Sequence, residues 1–355
     1  MISFFIAFLC CFILTPLVIR FARYFGLVDD PKKRLHPATT HAGVVPRAGG
    51  IGIYLSLLIT TVFFVEFTPM MIALFIAAGI AVAVGIWDDY RDMSPYLRFG
   101  TNILVAVVIL FAGVRIPFIT NPLGGILHFD TWCSFGVGGL VVPFCLVSAG
   151  VTVVWIVWMM NAVGWSAGVD GQLPGFVMIA GIIIALLAQR FVEADPSQST
   201  VITLSLITAG VYAGFLPWNL YPQKIMPGYS GKSLAGFMLA VLAIMSSTKV
   251  GAALLVLGVP MIDAGYTVIR RIIMGVSPFR ADRGHLHHLL LDMGWGRRRI
   301  AFFYWAVTAF LGFIALQLDS QGKVFAFLVM GIVVGGLLVA IQLFNFFRIL
   351  TRNPS

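Results

Sequence analysis

Pro69-Met-Met-Ile-Ala-Leu-Phe-Ile-Ala-Ala-Gly-Ile-Ala-Val-Ala-Val-Gly-Ile-Trp-Asp-Asp-Tyr-Arg-Asp92 decides the fold. No charged side chain occurs from Pro69 to Trp87, and then three carboxylates arrive within five residues, Asp88 to Asp92. A helix that crosses the hydrocarbon of a bilayer needs about 20 apolar residues. The run meets that length, is continuous rather than alternating, and ends in charge, as a spanning helix emerging into water should.

The same pattern repeats along the whole chain. Candidate helices cover roughly residues 2–22, 48–67, 69–87, 98–116, 139–161, 173–192, 199–217, 233–247, 249–269, 300–318 and 324–347. Of the 355 residues, 60% are hydrophobic and 10% charged, and the mean hydropathy is +0.99. A soluble domain carries about 25% charged residues to cover its surface. A water-soluble enzyme and a disordered chain are therefore excluded, and continuous runs argue against a transmembrane barrel. The fold class expected is all-α: a polytopic membrane protein of about eleven spans forming a single domain over 1–355. The run Ile2–Ile19 reads as a first span, since no basic segment precedes it and no small-residue cleavage site closes it. Cys10, Cys11, Cys133 and Cys145 show neither metal-ligand nor disulfide-framework spacing and read as small packing residues.

Charge sets the expected orientation. With the N-terminus outside, the cytoplasmic segments are 20–47, 88–98, 162–172, 218–232, 270–299 and the C-terminus. These hold 19 of the 23 Lys and Arg; only Arg115, Arg190, Lys249 and Lys323 fall outside. Such a bias is the positive-inside signal, and it puts the C-terminus inside. The net charge of +9 then reads as loops facing anionic lipid and anionic substrates rather than nucleic acid.

Five segments on that side carry the polar chemistry. His41-Ala-Gly-Val-Val-Pro-Arg-Ala-Gly-Gly50 opens the second helix, with His41 and Arg47 as phosphate contacts; alone it reads rather as a basic juxtamembrane loop with a glycine-rich helix start. In the second segment Asp88, Asp89 and Asp92 need a cation or basic partners to offset their repulsion. Mg²⁺ commonly takes one or two carboxylates plus substrate phosphates, and the competing reading is a solvated turn paired with Arg91 and Arg98. Asn161-Ala-Val-Gly-Trp-Ser-Ala-Gly-Val-Asp-Gly171 surrounds one acid, Asp170, with glycines. Asn219-Leu-Tyr-Pro-Gln-Lys-Ile-Met-Pro-Gly-Tyr-Ser-Gly-Lys-Ser233 ends like a P-loop. That motif needs a glycine where Met226 stands and a preceding strand, so the nucleotide-hydrolase reading fails. A glycine-rich loop opening a helix still suits phosphate, and Lys232 adds charge. The fifth, Ser277-Pro-Phe-Arg-Ala-Asp-Arg-Gly-His-Leu-His-His288, is the most specific. His285, His287 and His288 with Arg280 and Arg283 suit a diphosphate, whereas His-x-His-His without a nearby cysteine is an awkward zinc set. A transporter, which should place charges at span midpoints, ranks last because Asp263 is nearly alone there.

The order and spacing of these segments resemble the polyprenyl-phosphate N-acetylhexosamine-1-phosphate transferases of glycosyltransferase family 4, and more distantly the phospho-MurNAc-pentapeptide translocase. The resemblance runs from Gly26-Leu-Val-Asp29 through Val45-Pro-Arg-Ala-Gly-Gly50, Asp88-Asp89, Asn219-x-Tyr-Pro222 and Asp263 to His288. It implies transfer of a sugar-1-phosphate from a UDP-sugar such as UDP-GlcNAc to undecaprenyl phosphate with release of UMP, the first step of an envelope glycan. By that resemblance Asp88, Asp89 and Asp170 are catalytic, and Asp88, Asp89, Asp92 and Asp170 hold Mg²⁺, with Mn²⁺ the alternative ion. Asn219 contacts the nucleotide side, and His41, Arg47, Lys232, Arg280, Arg283, His285, His287 and His288 bind substrate.

Three positions depart from the family pattern. Gly164 and Ala167 stand where it has Asn and Asp, and Tyr229 stands where it has the principal Mg²⁺ ligand. A phenol with a pKa near 10 stays neutral and supplies no hard anionic oxygen. These departures suit a second reading, in which the scaffold binds polyprenyl phosphate or a partner glycosyltransferase without chemistry. The resemblance implies a bacterial inner membrane with the site facing the cytoplasm; a homodimer is compatible with the sequence.

Overall fold

Apolar segments in lipid can satisfy their backbone N–H and C=O groups only internally, so they fold as helices. The computed structural model describes residues 1–32, 43–121, 123–130, 135–137, 140–142, 145–246, 249–280 and 282–352. It shows a polytopic helical membrane protein. Among the described residues, eight helices are long and apolar enough to cross a bilayer: α1 (Ile2–Tyr24), α3 (Pro69–Arg91), α5 (Leu146–Trp165), α6 (Gln172–Gln189), α7 (Gln198–Asn219), α8 (Gly228–Met245), α12 (Arg297–Gln317) and α13 (Ser320–Arg352). Two shorter apolar helices, α2 (Gly49–Phe64) and α4 (Pro95–Phe111), lie beside them. At 1.5 Å per residue α2 reaches only about 24 Å, short of a ~30 Å hydrocarbon layer.

The structure corrects the sequence expectation in three places. The run 249–269 is not one straight span. It is α9 (Lys249–Val256) and α10 (Gly258–Ile273), and the apolar parts 250–256 and 258–273 meet at 84°. The break falls at Leu257 and Gly258, and a β-carbon at Gly258 would strike Met330 Cε. Helix α5 begins at Leu146 rather than near 139, because Phe135–Val137 (β5) pairs with Leu140–Val142 (β6) in a short antiparallel hairpin. Val and Phe around a Gly-Gly dipeptide are a hairpin signal that the apolar count overrode. Third, Cys145 is disulfide-bonded, with its partner outside the described residues, while Cys10 and Cys11 are free thiols. A single pair carries no multi-cysteine spacing from which a framework can be read.

Two capped entries shape the α3–α4 region. Thr68 Oγ1 accepts from the Met71 N–H ahead of α3, and Ser94 Oγ accepts from the Leu97 N–H ahead of α4, each with proline as the first helical residue. These are standard N-terminal signals. The other two sheets are hairpins: Val28–Asp29 (β1) with Val45–Pro46 (β2), and Phe118–Thr120 (β3) with Ile126–His128 (β4). The β1–β2 pair is stapled onto the bundle, since the Arg47 N–H donates to Leu27 O and the Met226 N–H to Pro46 O, each at 2.8 Å.

Helix α8 is the most enclosed span and packs against α5, α3 and α2. Helices in lipid gain no hydrophobic drive from one another, so small residues that admit close backbone approach hold them together. Gly85 of α3 is such a point: a β-carbon there would come within 2.4 Å of Ser230 Cα and 2.7 Å of Ser230 N. Backbone offers no rotamer to relieve that overlap. Gly85→Ala is therefore expected to force α3 off the first turn of α8 at a cost of about 1–3 kcal/mol. A lowered thermal midpoint of the purified protein, read by intrinsic fluorescence, checks this; an unchanged midpoint contradicts the close approach.

Candidate active site

The acidic turn is built by its own backbone and by two arginines. Helix α3 ends at Asp92, which adopts a left-handed conformation (φ 48°) and donates its N–H to Asp88 O. The Asp88 side chain is fully buried. Its Oδ1 accepts from the Met93 N–H at 3.0 Å and from Arg98 Nε at 2.6 Å, and its Oδ2 lies 3.5 Å from Arg47 Nη2. Asp89 faces α8: Oδ1 accepts from the Tyr229 N–H at 2.7 Å and from Arg47 Nε at 2.9 Å, while Oδ2 accepts from Ser230 N–H at 3.3 Å and Ser230 Oγ at 2.8 Å. Gly228 enters this turn with φ +70°, and a β-carbon there would lie 2.2 Å from Asp89 Oδ2. Asp92 is half exposed and reaches Arg47 Nη1 at 3.2 Å. Burial alone would lower the Arg47 pKa, but the carboxylates of Asp89, Asp88 and Asp92 outweigh it and raise it.

The histidine segment hangs from α10. Asp263, fully buried, accepts the Leu286 N–H on Oδ1 at 2.8 Å and faces His285 Nδ1 with Oδ2 at 2.9 Å. This starts α11 (Leu286–Asp292). Asp282 is gripped by Arg270 at 2.6 Å and Arg271 at 3.0 Å, and accepts the Gly284 N–H at 2.8 Å. Partial burial pushes its pKa up, but the Arg271 hydrogen bond and the other donors prevail and hold it at about 2. His287 and His288 are buried, and burial with the nearby positive groups drives both downward, His288 to about 4 and His287 well below its ordinary value. Both rings are neutral at physiological pH.

Between these two assemblies lies a cavity of about 330 Å³. It is lined by Arg47, Asp170, Asn219, Lys232, Arg280, His285, His287 and His288, which is most of the sequence-named set brought to one place. Asp88 and Asp89 stand behind Arg47 rather than on the cavity wall. Arg283 is directed to Asp292 at 2.6 Å, half-exposed, and does not line the cavity. His41 lies outside the described residues. Asn219 orders the loop: Oδ1 accepts the Gly171 N–H at 3.0 Å, and Nδ2 donates to Gln223 Oε1 and Ile225 O, each at 2.9 Å. Asp170 Oδ2 in turn accepts the Gln223 N–H at 3.3 Å and lies 3.8 Å from Arg297.

Among the described residues, no group of three or more His, Cys, Asp or Glu side chains is placed to hold a metal ion. Every oxygen of the Asp88–Asp89 pair already receives a donor, and Tyr229 turns its hydroxyl to Asn102 Oδ1 at 3.3 Å beneath the Arg98 guanidinium. The residues present do not form a ready-made Mg²⁺ site. Sequence reasoning gave no site role to several cavity residues: Asp29, Arg98, Arg271 and Asp282. Arg98 entered only as a partner in the competing reading of the acidic turn, which in part describes the structure; Arg91 instead stacks on Tyr90. The signal for Asp263 was a lone acid in an apolar run, which in lipid implies a partner.

All of these elements meet at one end of the bundle, formed by the last turns of α3, α5 and α7 and the first turns of α4, α6 and α8. Known proteins resemble the chain across this whole arrangement. The model for "Glycosyl transferase family 4" matches residues 70–247, half of the chain. A protein of Bacillus subtilis, "Probable undecaprenyl-phosphate N-acetylglucosaminyl 1-phosphate transferase", is 28% identical over 90% of this chain and 85% of its own length. A decaprenyl-phosphate N-acetylglucosaminephosphotransferase of Mycobacterium leprae is 29% identical over 81% of this chain and 75% of its own. An undecaprenyl-phosphate alpha-N-acetylglucosaminyl 1-phosphate transferase of Haemophilus influenzae is 29% identical over 88% and 86%. With the family match spanning α3 to α8 and the intervening loops of the cavity, the chain belongs to glycosyl transferase family 4.

Proposed function

We propose that the chain transfers N-acetylhexosamine-1-phosphate from a UDP-sugar to a polyprenyl phosphate and releases UMP. One observation carries this reading. Residues from five separate segments, from Arg47 to His288, converge on a single cavity at one end of a membrane bundle, where a water-borne diphosphate and a lipid phosphate can both arrive. The relatives' names, N-acetylglucosaminyl 1-phosphate transferases acting on polyprenyl phosphates, support the same chemistry.

In the proposed step an oxygen of the lipid phosphate forms a bond to the β-phosphorus of the UDP-sugar. The bond from that phosphorus to the bridging oxygen breaks, and its electron pair leaves with UMP. A phosphate monoester has its second pKa near 6, so the attacking oxygen is already ionised at neutral pH and no general base is required. What remains is positioning and charge neutralisation, the usual content of phosphoryl transfer. Lys232 and Arg280 supply charge, the neutral imidazoles of His287 and His288 supply hydrogen bonds, and the acid pair positions Arg47 and Arg98. The cavity end is assigned to the cytoplasm on two grounds: the bias of Lys and Arg, and the disulfide of Cys145 at the far end of α5, since disulfides persist on the oxidising side. A bacterial cytoplasmic membrane is the setting that the relatives' organisms support.

UMP release from UDP-GlcNAc and a short polyprenyl phosphate by the purified protein is the expected activity. Retained binding of the lipid without any UMP release would assign the chain to the non-catalytic binding role. Asp88→Asn removes a buried charge that orients two guanidiniums on the cavity wall, and should reduce turnover about 100-fold or more; wild-type turnover in this variant would contradict the positioning role. The imidazoles also set a pH window. Both take up protons in the unfolded chain near pH 6.5 but only well below that when folded, so acid favours unfolding. Stability is expected to be full above about pH 6.5 and to fall toward about pH 4, and His288→Gln should flatten part of that slope in thermal melts.

A further inference from the structure

A diphosphate entering the cavity needs its charge offset. The common device is a hard divalent cation held by carboxylate oxygens with lone pairs to give. The paired acids at the end of α3 have committed those oxygens elsewhere. Asp88 and Asp89 receive Arg98, Arg47, the Ser230 hydroxyl and three backbone N–H groups. A cation at the pair would have to displace two guanidiniums that already neutralise it. The acids on the cavity wall itself are Asp29, Asp170 and Asp282; Arg297 stands 3.8 Å from Asp170, and Arg270 and Arg271 grip Asp282.

Among the described residues, the rest of the wall offers no replacement ligand set. Gly164 and Ala167 face the cavity and offer no ligand atom beyond backbone, while Tyr229 directs its hydroxyl away to Asn102. Lys232 rises from the first turn of α8 beside them. A β-carbon at Gly164 would lie 3.8 Å from Lys232 Cβ, an ordinary contact, so residue 164 and the lysine stem are neighbours on this wall. His287 stands in the same wall, its ring against Gly168, where a β-carbon would lie 1.9 Å from Nε2. Arg280 reaches the cavity from the α10–α11 loop and has no ion pair among the described residues.

We propose that the diphosphate site of this chain is a lysine–arginine site in place of a divalent-metal site: Lys232 and Arg280 offset the phosphate charge, and ligand binding and turnover require no Mg²⁺. The inference rests on the transferase reading for the identity of its ligand. An ammonium suits the task because it is a compact, strongly hydrated point charge that meets phosphate without demanding octahedral geometry.

The decisive experiment is isothermal titration of the full-length protein in nanodiscs with UMP and with UDP-GlcNAc, once in EDTA and once in millimolar MgCl₂, with UMP release measured in parallel. Affinities that agree within about threefold between the two buffers are expected, with turnover preserved in EDTA. Lys232→Met should weaken binding about tenfold or more in both buffers, and Lys232→Arg should recover most of it. Binding lost in EDTA and restored by MgCl₂ would overturn this inference and leave the transferase reading standing. Metal-independent binding with no UMP release in either buffer would refute the transferase reading and leave the cationic site. Unchanged affinity in a folded Lys232→Met variant, or no nucleotide binding by the parent protein, would overturn the proposal. The buffer comparison needs no variant, so a misfolded substitution does not blunt it.

Discussion

The architecture of the cavity depends on a buried charge network: two adjacent carboxylates on the last turn of α3 held between the guanidiniums of Arg47 and Arg98 and the first N–H groups of α8. Burying such charges is costly unless each is paired and hydrogen-bonded. Here the pairing draws in the start of α2, the start of α4 and the start of α8 at once. The close approach at Gly85 and the left-handed Gly228 are what let α8 come near enough for its backbone to take part. If the network were opened, the three helix ends would lose their common anchor, and Arg47 and Arg98 would no longer face the cavity as they do.

A second buried acid plays the corresponding part on the other wall. Asp263 lies in α10, the later half of the broken span, and fixes both the ring of His285 and the first N–H of α11. The chemistry-bearing groups thus sit in short loops and helix ends, while their orientation is set from within the helices. This division reconciles a membrane scaffold with a polar site: the membrane-spanning helices carry few charges, and each of the buried acids of α3 and α10 orients a partner that reaches the cavity.

Much of the architecture was legible in the amino-acid order because lipid enforces a simple rule. Each of the eleven apolar runs corresponds to a helical segment, since a backbone there has no other way to bond. The errors fell where local chemistry competes with hydropathy: at Leu257–Gly258, where a continuous apolar run hides a bend, and around 135–145, where Val and Phe form a hairpin. The residues of the cavity were legible as a set, since Lys, Arg and His gather on one side, but their partnerships were not. Nothing in the spacing of Arg47 and Asp89 announces an ion pair across 42 positions, because only the packing of α2 and α3 on α8 brings them together. The acids of 88–92 read as metal ligands for the same reason: the sequence displays their charge and hides the guanidiniums that answer it.

The tether at Asp263 has a consequence for altering the molecule. Because His285 and the start of α11 are hung from a helix, the connecting stretch around 276–280 does not bear their weight. Within that stretch Arg280 reaches the cavity, Phe279 packs on Tyr96 and Phe99, and Pro278 O accepts from Arg271, so an exchange that keeps those three can vary the rest of the turn while the imidazoles stay in register. Donor selectivity can in principle be reshaped at the cavity mouth without disturbing the groups behind it.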